Sequence, residues 1–140
     1  MKRLLLALAC FSLAACQSTP AVYNPSGIAT NELAELSTKS VGFFENEVQA
    51  MIVGVYDLDG KQLIGYTSPF STDRWKTVYL DSGVYTIVAI CMLGNSYAHP
   101  RAVVPIDAEA KYTYSCLTEY KKNFLGLEQP DKSTLVFEKI

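Results

Sequence analysis

From about residue 48 onward, the chain is a succession of short apolar, β-branched runs, each closed by turn residues. Residues 48–56 (VQAMIVGVY) are one such run, Asp57-Leu58-Asp59-Gly60 is turn chemistry, and residues 61–66 return as a hairpin partner. Residues 76–80 (KTVYL) end at Asp81-Ser82-Gly83. The next run, 84–93 (VYTIVAICML), is apolar on both faces, the pattern of a central strand. Pro105 assigns residues 101–106 to a sheet edge, because proline has no N–H for the ladder. Residues 111–120 alternate, with Tyr112, Tyr114 and Cys116 on one face and Lys111, Thr113 and Ser115 on the other, and residues 134–140 form a last strand. Residues 31–38 read as a first strand in preference to a short helix. Six or seven short strands and no long helix predict an all-β fold, an antiparallel two-sheet sandwich over residues 34–140.

Composition narrows the class. The 140 residues carry 49% hydrophobic and 19% charged side chains, which excludes a disordered tail or a fibre. A formal charge of −2 gives no basic stripe for phosphates, so no nucleic-acid partner is expected. A single histidine removes most acid–base and metal-dependent chemistry. No P-loop, dinucleotide fingerprint or G-x-S-x-G elbow occurs, and no cofactor is expected.

The N-terminal segment reads as an address. Lys2 and Arg3 precede an apolar stretch over residues 4–13, far shorter than the ~20 residues a spanning helix needs. Leu13-Ala14-Ala15-Cys16 resembles the lipobox of bacterial lipoproteins. That resemblance implies a signal peptide over 1–15, cleavage before Cys16, and lipid on the Cys16 thiol. The mature chain would then hold ten basic against fourteen acidic residues, a charge of −4. Gln17 in place of Asp implies, within the same family pattern, the outer membrane. Residues 16–33, with Pro20, Pro25 and Gly27 and no period, read as a lipidated, flexible linker.

With Cys10 in the signal and Cys16 lipidated, Cys91 and Cys116 remain and are expected to pair in an oxidising envelope. Closing this loop contributes ~3.5 kcal/mol in the chain-entropy model. A metal site from Cys91, Cys116 and His99 lacks a fourth ligand and a tight cysteine pair. Tyr114 precedes Cys116 by two residues as in a tyrosine corner, but the spacing is short for an immunoglobulin inter-sheet bridge and no Trp follows Cys91. The turn at 81–83, VYTIVAIC and the later AKYTYSC resemble the pattern of transthyretin- or PEGA-type sandwiches of small envelope lipoproteins.

Asp57 starts a calcium-like loop, but an EF-hand's fifth and twelfth positions fall on Lys61 and Ser68, so a plain hairpin turn is the better reading. Two segments are the candidate binding surface. Arg74 and Trp75 place a guanidinium beside the only Trp, which reads equally as an interface anchor or as a core cap. Tyr97, His99 and Arg101 lie on a loop with turn chemistry at both ends. Residues 121–127 (KKNFLGL) combine lysines and apolar side chains; the apolar ones are expected to pack beneath the loop. No catalytic residues are assigned. These features point to a non-enzymatic accessory or protein-binding lipoprotein of the outer membrane, with an envelope protein as partner. The alternatives are a small-ligand or glycan-binding module, with Trp75 and Tyr97 as stacking faces, or an inhibitor of lysozymes or proteases.

Overall fold

A computed structural model of the chain describes residues 19–41, 46–66 and 73–140. The signal segment 1–15, Cys16 and Gln17 lie outside the described residues. In chain order the strands are β1 (Ala21–Tyr23), β2 (Ala34–Thr38), β3 (Glu47–Val48), β4 (Ala50–Tyr56), β5 (Gln62–Ile64) and β6 (Thr77–Leu80). They continue as β7 (Gly83–Leu93), β8 (Ser96–Ala98), β9 (Arg101–Ile106), β10 (Lys111–Lys122) and β11 (Glu128–Lys139). One sheet has the order β1-β6-β2-β10-β11, with β3 also on β10; the other runs β5-β4-β7-β8, with β9 beside β8 on the same edge of β7.

The two sheets pack into an all-β sandwich whose core holds Leu36, Ile52, Val55, Val78, Leu80, Ile87 and Tyr114. Alternation places these side chains inward. β7 is central, as its apolar run requires, and β9 with Pro105 is an edge. The turn after β4 closes as expected: Asp57 Oδ1 accepts from the Lys61 N–H at 2.8 Å, and Gly60 takes the positive φ (84°) that glycine alone adopts freely.

Four features differ from the sequence reading. The strand count rises from six or seven to eleven segments among the described residues, partly because the run over 48–56 breaks at Gln49. There Val48 pairs with Cys116 in the first sheet, while Ala50 pairs with Cys91 in the second. Second, the sheets are not wholly antiparallel: β1 runs parallel to β6, and β2 to β10. Only hairpins oblige strands to be antiparallel, and neither pair is joined by one.

Third, the stretch read as linker is part of the domain from Ala21 onward. β1 adds to β6, Ser26 donates its N–H (3.2 Å) and its hydroxyl to Asp81, and Thr30–Glu32 form one 3-10 turn before β2. Prolines and glycine there shape turns on a surface instead of freeing the chain. Fourth, β10 and β11 extend well past the predicted strands, to Lys122 and back to Glu128. The polar stretch 128–133 carries no apolar alternation, so its pairing rests on backbone hydrogen bonds that side-chain patterning does not report.

Cys91 and Cys116 are disulfide-bonded, with Cα atoms 5.9 Å apart. The bond joins β7 to β10, and so links the two sheets at the corner where the chain crosses at Gln49. The short sequence spacing is compatible with an inter-sheet bridge because only β8 and β9, both on the edge of β7, intervene before the chain returns to the first sheet.

Candidate functional site

Strand alternation on β7 turns Tyr85, Ile87, Ala89 and Cys91 into the core and leaves Val84, Thr86, Val88, Ile90 and Met92 facing outward. Neighbouring strands continue that outer face. Arg101, Val103 and Pro105 of β9 lie opposite Val88, Thr86 and Val84, and Tyr97 of β8 lies opposite Met92. On β4, Met51 lies opposite Ile90 and Tyr56 opposite Thr86. The Tyr56 ring folds back over Gly54, where a Cβ would stand 2.8 Å from a ring carbon, so a larger residue there would push the ring aside. A register shift between Ile52 and Gly54 makes Val53 the extra residue of a bulge.

The result is a sheet face that is apolar but uncovered. Val103 is 63% exposed and Tyr97 53%, with Val84 and Met92 also exposed. Val53 and Ile90 are the exceptions: both are buried, yet neither belongs to the cluster between the sheets.

Arg74 crosses this face. Trp75 exchanges two 2.9 Å backbone hydrogen bonds with Ile52 on the free edge of β4 and packs its side chain against the core. Its predecessor therefore projects onto the outer face, and the Arg74 guanidinium sits over the Tyr97 ring, 5.6 Å from the centroid. β4 and β7 lie between these two anchoring points, about 14 Å of sheet at ~4.8 Å per strand. The cation–ring pair thus spans the outer face of β4 and β7 as a strap.

Of the five residues of the predicted surface, the structure brings Arg74 and Tyr97 together and places Arg101 on the same face. Trp75 takes its core-capping role, on the opposite side of the strand from Tyr97. His99 is exposed in the connection between β8 and β9. Val103, Met92, Val84 and Tyr56 were missed. For Val84 and Met92 the signal is the two-sided apolarity of residues 84–93, the pattern of a central strand; Val103 and Tyr56 join the face only through the pairing of β9 and β4 with β7.

Arg101 also borders a cleft of about 400 Å³ with Tyr56, Asp57, Thr86 and Val88. A cleft of similar size on the first sheet, about 410 Å³, is lined by Glu35, Tyr79, Glu109 and Lys111 among others. Among the described residues, no three His, Cys, Asp or Glu side chains gather where they would hold a metal.

The perturbed groups lie elsewhere and are structural. Burial pushes the Tyr114 phenol far above its ordinary range, and its hydroxyl reaches the carbonyls of Trp75 (2.8 Å) and Lys76 (3.1 Å), holding the segment that carries Arg74. Burial also raises Tyr85, which donates to the Asp81 carbonyl at 2.9 Å. Asp81 itself is held below the usual carboxylate range, first by the Ser26 hydroxyl and then by the Ser82 and Ser26 N–H groups.

Comparison with protein-family models, with curated proteins and with solved structures returns no match.

Proposed function

We propose that the chain is an outer-membrane-anchored lipoprotein, held through Cys16, that acts as a non-enzymatic protein-binding module of the envelope. The observation that carries the binding half is the uncovered apolar face of β7, β8 and β9, with Val103, Tyr97, Val84 and Met92 exposed together. Isolated exposed apolar residues are ordinary, whereas a contiguous apolar sheet face rimmed by charge is the usual mark of an interaction surface. Arg74 and Arg101 frame it, so the complementary partner presents an apolar patch beside carboxylates. The anchoring half rests on the charged start, the short apolar stretch and the Leu-Ala-Ala-Cys motif of residues 13–16.

A second reading has its own observation. The cleft beside Tyr56 and Arg101 is within the size range of small-molecule sites, and a small anionic or glycan ligand is the alternative occupant. The glycan form no longer has a Trp75–Tyr97 pair to stack on, because these rings face opposite sides of the sheet.

The test places a photo-crosslinking residue at Val103 and, as a control, at Ser37 on the other sheet, in cells. A discrete protein adduct from position 103 only, lost with Arg74→Glu, is the expected result. Equal labelling from both positions, or none, overturns the binding reading. Fractionation of Cys16→Ser tests the anchor separately: the variant should leave the membrane fraction.

A further inference from the structure

β10 pairs with β2 through Tyr114 and with β3 through Leu117, and the Thr118 N–H donates to the Asn46 carbonyl at 2.9 Å; from Glu119 onward its only strand partner among the described residues is β11. Among the described residues, the β10–β11 hairpin therefore continues past Thr118 as a two-stranded arm. At its tip Phe124 is 94% exposed, Leu125 66% and Leu127 61%. The sequence expectation that these side chains pack beneath the loop is not met, since all three are exposed.

The backbone of the tip is closed on itself. Asn123 Oδ1 accepts the N–H of Leu125 (2.9 Å) and of Leu127 (3.0 Å), and the Asn123 carbonyl accepts the Gly126 N–H (2.9 Å). The Asn123 N–H is bonded to the Leu127 carbonyl at 2.9 Å, and Gly126 supplies the positive φ (76°) that the turn needs. A tip that satisfies four of its five backbone N–H groups internally enters an interfacial layer at lower cost than an open loop does.

Strand directions say which way the arm points. Ala21 pairs with Val78, Val78 with Leu36, and Leu36 with Tyr112, so these four residues lie level across the first sheet. β1 runs antiparallel to β2 and β10, so the chain enters Ala21 from the end toward which the arm projects. From Tyr112 to Leu125 the arm extends by about 40 Å at ~3.3 Å per residue. From Cys16 to Ala21 the chain reaches at most about 18 Å. The arm is thus longer than the tether. Any orientation that seats this end of the sandwich on the bilayer that holds Cys16 brings the tip into it.

We infer that the tip at residues 123–127 is a second membrane contact, inserting Phe124, Leu125 and Leu127 into the interfacial layer of a lipid bilayer. The direction of the tether rests on the anchoring reading; the apolar, self-bonded tip does not. Lys121, Lys122 and Lys132 are offset along the arm by Glu119, Glu128 and Asp131, and Lys121 is bonded to Asp131. Insertion is therefore driven by apolar area, with the lysine stems reaching back to the headgroup layer, and its salt dependence is weak. Pro130 and the lysines keep the arm's open edges from pairing with a second copy.

The experiment uses the full lipidated chain carrying Phe124→Trp, mixed with phosphatidylcholine vesicles bearing brominated acyl chains, with and without phosphatidylglycerol. The parent chain sets the Trp75 background. Phe124→Trp is expected to fold as the parent does, because the side chain touches little else. The expected result is a blue-shifted emission quenched by both vesicle types, and at least a tenfold drop in that quenching when Leu125→Asp and Leu127→Asp are added. Solvent-like, unquenched emission from chain that pellets with the vesicles overturns the inference while leaving the anchor intact. Protection without bromine quenching overturns it in favour of a protein groove. If pelleting does not depend on Cys16 but the new Trp is still quenched, the anchoring reading fails and the tip contact stands.

Discussion

The two sheets turn very different outer faces to their surroundings. On the first sheet Glu35 bonds Ser37, Ser115 donates to Glu47 at 3.1 Å, and Lys39 bridges Glu47 (3.1 Å) and Glu138 (4.0 Å). Polar groups there satisfy one another and water does the rest. On the second sheet the same positions of the pleat carry Val84, Val88, Ile90, Met92, Val103 and Tyr97, with the Arg74 strap reaching Tyr97. Both sheets need one apolar face to make a core, and only one of them has two. The surplus apolar face costs solubility and lies outside the inter-sheet core, the contrast on which the binding proposal rests.

Inner and outer positions of the second sheet should separate sharply. Ile87→Ala, in the core, should cost about 2–5 kcal/mol, whereas Val103→Ala should stay within about 0.5 kcal/mol. Urea denaturation of the two variants measures both. A Val103 effect as large as that of Ile87 would mean that the face is covered within the fold, and the contrast would collapse.

The strap is the next largest effect. Arg74→Ala should lower stability by about 0.5–1 kcal/mol. Faster amide exchange in β4 and β7, with β2 and β10 unchanged, would show it. The polar face should respond less: Lys39→Met is expected to stay within about 0.5 kcal/mol, because exposed ion pairs contribute little.

Acid should loosen the first sheet's edge before it touches the apolar face. Asp81 is lowered from 3.8 in the folded state, chiefly by the Ser26 hydroxyl. Its contribution is therefore complete above that ordinary value and is lost as pH falls through the lower folded one. Amide protection at Ala21–Tyr23 should decline over that range, and Asp81→Asn should remove the pH dependence. Parallel loss of protection in β8 and β9 would argue against so local an effect.

Much of this was legible without coordinates. The hairpin at Asp57–Gly60, the central position of residues 84–93, the edge at Pro105 and the pairing of Cys91 with Cys116 all follow from local chemistry. Arg74, Tyr97 and Arg101 were identifiable as unusual side chains near turns. That they share a face was not, because Arg74 lies 23 residues before Tyr97 and reaches it only across two intervening strands. Trp75 looked the same on paper whether capping or binding, and one backbone pairing with Ile52 decided it.

The amino-acid sequence by itself determined that this chain is β, where its turns fall, and which side chains alternate inward, since these depend on neighbours one to four residues away. The tertiary structure alone decided the parallel strands, the attachment of residues 21–33, the side left uncovered on β7, and the projection of Phe124. Each depends on which distant segment occupies a strand's other edge or face, and local periodicity carries no record of that choice.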